Sequence, residues 1–100
     1  QCITADADCE AVYPRFPVLA RSPDNRERAL NRLNQAGVGA SASYPQAIID
    51  VPEVQPHLTA ELPDTPSARD VSRRIMTLPT HAFVRHGDIE AMLDILRDCG

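Results

Sequence analysis

Nine prolines in 100 residues punctuate this chain and decide where regular structure can run. Proline gives no backbone N–H and holds φ near about −65°, so it is kept out of helix interiors and central strands. Pro14 and Pro17 fall inside AVYPRFPVLA, residues 11–20, where Tyr13 and Arg15 and then Phe16 and Val18 alternate. That alternation predicts a strand, and the two missing donors place at least that half at a sheet edge or a bulge. Pro23 follows Ser22 and opens a run whose apolar positions are Ala29, Leu30, Leu33 and Ala36. The spacing predicts a helix capped by Ser22 or Asp24 and stopped at Gly37, where a left-handed residue is often needed. Val38 to Ser43, VGASAS, reads as a second strand of small residues, open to close approach and ended by Tyr44-Pro45.

Residues 46–63 carry Pro52, Pro56 and Pro63 around an apolar patch at Ile48, Ile49 and Val51. They read as a long connection with a short helical turn, and a connection of this kind usually has a functional or interface role. Thr65-Pro66 then offers an N-cap with proline at the first helical position. The helix it opens runs to about Arg74 and presents Ala68, Val71, Ser72 and Ile75 to the core. IMTLP, residues 75–79, is a short strand. In the last helix Ile89, Met92, Leu93 and Leu96 fall at i, i+3, i+4 and i+7, with Asp88, Glu90 and Arg97 matched to its dipole. The expected fold is α/β (α+β): a two-layer sandwich in which three helices cover a small, mainly antiparallel sheet of about three strands. Residues 12–98 form its single domain, and 1–11 read as a tail or the remnant of a linker.

All ten positive charges are arginines, against fourteen acidic residues, for a formal net charge of -4. A phosphate-backbone binder needs a concentrated basic field, so no nucleic-acid partner is expected. Cys2, Cys9 and Cys99 are odd in number and lie near the ends, which suits reduced thiols in a cytoplasmic protein better than a disulfide framework. No apolar run approaches the ~20 residues that cross a bilayer, and no signal-peptide pattern opens the chain, so no membrane partner is expected.

The absence of lysine excludes an internal Schiff base, a phosphate loop of the GxxxxGK type and a kinase-type lysine. His57, His81 and His86 stand at no zinc-ligand spacing and no CxxC accompanies them, so surface or loop roles are the plainer reading. Ser41, Ser43 and Ser72 have no recognisable His and Asp partners for nucleophilic catalysis. Arg69 and Arg73 share a helix face and suggest an anion patch, against the simpler reading of a solvated face paired with Asp70. Tyr44, Asp50, His81 and Arg85 are polar groups at strand ends, where sheets commonly meet ligands. For His81 the competing reading is a hydrogen bond within the turn after the last strand. For Tyr44 it is an interface ring with a polar tip.

Three segments, YPRFPVLA, then LNQAGVGASASYP, then SRRIMTLPTHAFVRHGDIEAMLDIL, together carry a resemblance. In order and spacing they resemble the C-terminal small domain of the DegT-type (DegT/DnrJ/StrS) sugar aminotransferases, from about Val12 to Leu96. AGVGASASYP and TLPTHAF are the most specific parts. The resemblance implies a small domain of the fold-type-I aminotransferase kind, with pyridoxal phosphate (PLP) and its Schiff-base lysine held by a larger N-terminal domain missing here. It also implies a homodimer and a nucleotide-sugar substrate that receives an amino group, usually from glutamate or glutamine. The chain itself would hold no cofactor and would be inactive alone.

By the same resemblance Tyr44, Ile49, His81, Phe83 and Arg85 are the candidates for the substrate cleft. Tyr44 and Pro45 match the tyrosine-proline turn, and His81 matches the histidine after the leucine-proline of the last strand. Ile49 stands where the family often has a histidine, a departure that suggests a divergent subgroup. The chain begins with Gln1 rather than Met, as a processed product or a fragment would. The alternative is a small non-catalytic module that self-associates through its sheet or its Ile48–Val51 patch.

Overall fold

A computed structural model describes residues 1–59 and 64–100. Its elements are β1 (Arg15–Leu19), α1 (Pro23–Gln35), α2 (Pro66–Arg74), β2 (Ile75–Pro79) and α3 (His86–Cys99), with single 3-10 turns at Ile48–Asp50 and Gln55–His57. Of the two caps open to α1, Ser22 is the one used: its hydroxyl accepts from the Asn25 N–H at 3.1 Å, and Pro23 takes the first turn. Past the other end Gly37 adopts φ +80°. That single left-handed residue lets Gly37 N–H reach the Asn34 carbonyl and Val38 N–H the Leu33 carbonyl, two closing bonds of a Schellman motif.

β1 and β2 pair antiparallel, with Arg15 opposite Pro79 and Leu19 opposite Ile75. Pro17 is tolerated for a reason in the register. Its partner Thr77 turns both backbone groups the other way, to Ser41, at 2.8 and 3.1 Å, so β2 asks nothing of the missing N–H. The expected third strand is corrected here: among the described residues the sheet has two strands. Val38 to Ser43 contributes only the bridge Ser41 to Thr77, and Ala40 N–H bonds locally to the Val38 carbonyl at 2.8 Å. A run of glycine, alanine and serine with one β-branched residue has little to hold it extended. On the other edge of β1, Cys2 bridges Val18, so Gln1 to Ile3 lie along the sheet.

Phe16, Val18, Met76 and Leu78 share one sheet face and meet Ala29, Leu30 and Leu33 of α1 and Met92, Leu96 and Cys99 of α3. Leu33 is 0% exposed, and burial of such a side chain stabilises by about 2 kcal/mol. The apolar stripe read for α3 is half right. Met92 and Leu96 pack inward with Cys99, while Ile89 and Leu93 border a groove of about 470 Å³ beside β1. The face read for α2 is corrected more strongly: only Ser72 is buried, Ala68 and Val71 are exposed, and Ile75 belongs to β2. Nor does the Thr65 hydroxyl cap α2. Instead Arg74 Nε donates to the Ala20 carbonyl at 2.8 Å and Arg26 Nη1 to the Ser72 carbonyl at 2.9 Å, tying the joint between α2 and β2 to the rest.

Candidate functional site

β2 delivers the candidate residues at its C-terminal end. Pro79 closes the strand, and Thr80 Oγ1 donates across to the Tyr13 and Pro14 carbonyls, at 2.7 and 2.8 Å. A tight turn follows, in which Val84 N–H bonds the His81 carbonyl at 3.0 Å. Phe83 N–H donates to His81 Nδ1 at 3.3 Å, and the two rings lie 6.0 Å apart. A neutral imidazole that accepts at Nδ1 carries its proton on Nε2. The turn therefore orients His81 with one donor, Nε2–H, unclaimed among the described residues. The local hydrogen bond read for His81 is present, and it orients the ring.

His81 and Phe83 line a cavity of about 140 Å³ together with Pro79, Val84 and the Gly37 to Gly39 segment. Sites that enclose a drug-sized ligand run to about 300–1,000 Å³, so this cavity alone is too small for one, while His81 also borders the groove of about 470 Å³ beside β1. Arg85, two residues on, sits at the N-cap of α3, where its backbone N–H donates to Asp88 Oδ2 at 2.8 Å. Phe83 is 86% exposed and Tyr44 63%. Tyr44 and the half-buried Ile49 lie on the connection after Val38 to Ser43 and do not line the His81 cavity.

Asp50 is held instead of free. Arg69 clamps it with Nε and Nη2, each at 2.8 Å, and also binds Asp64. These hydrogen bonds hold the Asp50 carboxyl below the usual carboxylate range and raise the Arg69 guanidinium. The anion patch weighed for Arg69 and Arg73 is thus occupied at Arg69 by the chain's own carboxylates, and Arg74 pairs with Asp70 at 2.8 Å. Among the described residues no three His, Cys, Asp or Glu side chains gather as a metal site, and His86 faces Glu90 at 3.4 Å.

Sequence reasoning missed a second polar group on the sheet. Arg15 Nε donates to the buried Thr77 hydroxyl at 2.8 Å, its Nη2 reaches the Gly39 and Thr77 carbonyls, and Ser43 Oγ lies 2.8 Å from Thr77 Oγ1. Arg15 and Thr77 are 62 residues apart, so only the strand register could have joined them.

The order of elements, the glycine-stopped helix and the histidine turn can now be set beside known families. The sequence profile of the DegT/DnrJ/EryC1/StrS aminotransferase family matches residues 1–97. The chain belongs to this family. No curated protein and no solved structure matches it. DegT-type aminotransferases in general depend on PLP, which such enzymes tether as an imine to a lysine amine. This chain has no lysine, and no residue lining the His81 cavity, Asp88 and Met92 included, offers an amine. Its residues do not fit a covalent cofactor site. What this DegT-family chain does present is an oriented histidine, an exposed aromatic ring and an arginine on one short turn. No described helix is long and apolar enough to cross a membrane.

Proposed function

We propose that this chain is the C-terminal small domain of a PLP-dependent nucleotide-sugar aminotransferase, forming one wall of its substrate cleft and inactive by itself. One observation carries the reading: the aminotransferase-family profile spans residues 1–97 of a polypeptide without a lysine. Amino-group transfer is then assigned to an N-terminal domain that holds the cofactor, in a cytoplasmic homodimer. The domain proper is 12–98, with 1–11 as a tail or linker remnant, of which Gln1 to Ile3 run along β1. The smaller His81 cavity is too small for a nucleotide sugar and the larger groove that His81 also borders is open, so this reading has a second body supply the remaining walls.

Within that cleft His81 offers Nε2–H, Phe83 a ring for stacking, Tyr44 a hydroxyl and Arg85 a cation. Ile49 contributes only apolar surface. The test is His81→Ala in the complete natural enzyme. The KM for the keto-sugar rises several-fold while the half-reaction with the amino donor keeps its rate. An unchanged KM would remove His81 from the cleft. A second reading, the self-associating module, draws on Ile48, which is 72% exposed beside half-buried Ile49 and Val51. Sedimentation of this chain over a concentration series separates the two: a dimer abolished by Ile48→Asp favours the module.

A further inference from the structure

We infer that Arg15, Thr77, Ser43 and Ser41 form a binding site for an oxyanion group, a carboxylate or a phosphate, on the sheet face that α1 and α3 leave open. Four arginines are half-buried, and three of them, Arg26, Arg69 and Arg74, each have a carboxylate within 3.0 Å. Arg15 is the fourth, and among the described residues no carboxylate pairs with it, although acids outnumber arginines fourteen to ten. A cation partly withdrawn from water without a counter-charge is costly, and an incoming anion relieves that cost.

Geometry gives the second part. Arg15 is held by the Gly39 carbonyl and by both oxygens of Thr77, which fixes the plane of the guanidinium and leaves its Nη1 edge unclaimed by any described residue. The free Nη1 N–H groups, held in direction by those bonds, can each donate to an oxygen of an incoming carboxylate or phosphate. Beside it Ser43 Oγ and Ser41 Oγ lie 2.8 and 3.3 Å from Thr77 Oγ1, and both serines are exposed at the open side. Hydroxyl protons rotate to suit a ligand, so they add donors next to the cation. Register completes the placement. Phe16, Val18, Met76 and Leu78 fill the helix-covered face, so Arg15 and Thr77 necessarily project from the other. The inference goes beyond the transaminase reading and uses nothing from it.

Nuclear magnetic resonance on the 15N-labelled chain tests it, with sodium phosphate and sodium acetate as probes and sodium chloride at matched ionic strength as control. Saturable shifts are expected at Arg15 Nε–Hε and at the amides of Ser41, Ser43 and Thr77, with a Kd on the order of millimolar. Ser43→Ala, at an exposed hydroxyl outside the core, weakens binding about fivefold or more. Arg15→Lys does the same, because it keeps the charge and loses the guanidinium whose Nη1 is held in place by Thr77 and Gly39. Saturation by phosphate alone assigns a phosphate ligand; by acetate alone, a carboxylate. Linear drift like that of chloride with both anions, or unchanged binding in Ser43→Ala, overturns the site.

Discussion

Replacing Gly37 by alanine isolates one backbone term beside the candidate site. Gly37 sits at φ +80°, where an L-residue pays about 1–2 kcal/mol. A Cβ built there meets nothing within 4 Å, so no clash is added. Alanine also narrows the unfolded ensemble, which offsets about 0.4–1 kcal/mol. The net expectation is a loss of about 1 kcal/mol, or about 4–8 °C in Tm for a domain of this size. Gly39, two residues on, is the matched control. Its Cβ also meets nothing within 4 Å, and its φ lies outside the left-handed region. Gly39→Ala therefore stabilises by about 0.4–1 kcal/mol. Urea unfolding followed by circular dichroism reads both, with m held common. Opposite signs are predicted. Equal shifts of the same sign would refute the reading of Gly37 as the residue that turns the chain from α1 toward the His81 cavity.

Leu33→Ala, fully buried in the last turn of α1, costs about 3 kcal/mol in the same urea assay, and a cost under about 1 would misplace the core. Ser22→Ala removes the one side-chain cap of α1 and costs about 1 kcal/mol, whereas Thr65→Ala, which loses no capping bond, leaves the start of α2 unchanged. The Asp50 carboxyl is lowered in the folded state by Arg69, so its contribution is present above the unfolded value and fades as pH falls through the folded one. Acidification should deprotect the Asp50 and Val51 amides in hydrogen exchange, corrected for intrinsic rate, before the Thr77 amide. Asp50→Asn should flatten that pH dependence, and an unaltered profile would show that the clamp does not hold the turn.

The parts of the fold legible in the sequence are those set by local chemistry. Ser22, Pro23 and Gly37 mark the ends of α1 because capping and left-handed stops act within a few residues. The alternation around Phe16 and Val18 marked β1 as a strand. Elements that depend on neighbours were misread. VGASAS reads as a strand, but only Ser41 finds the β2 edge, while the aperiodic start of the chain supplies the other bridge through Cys2. Ile89 and Leu93 obey the helical period yet face a groove, since periodicity says which side is apolar and nothing of how far the sheet extends beneath it. The His81–Phe83 turn was visible as a motif. The Arg15–Thr77 contact was not, because it exists only through strand register.

The most direct measurement is the length and cofactor content of the natural gene product, together with its activity. If the covalent chemistry is carried by polypeptide beyond these residues, that product exceeds 100 residues and holds PLP on a lysine outside this sequence. Changing that lysine to alanine then abolishes amino transfer. A natural product of these 100 residues alone that still transaminates would contradict it.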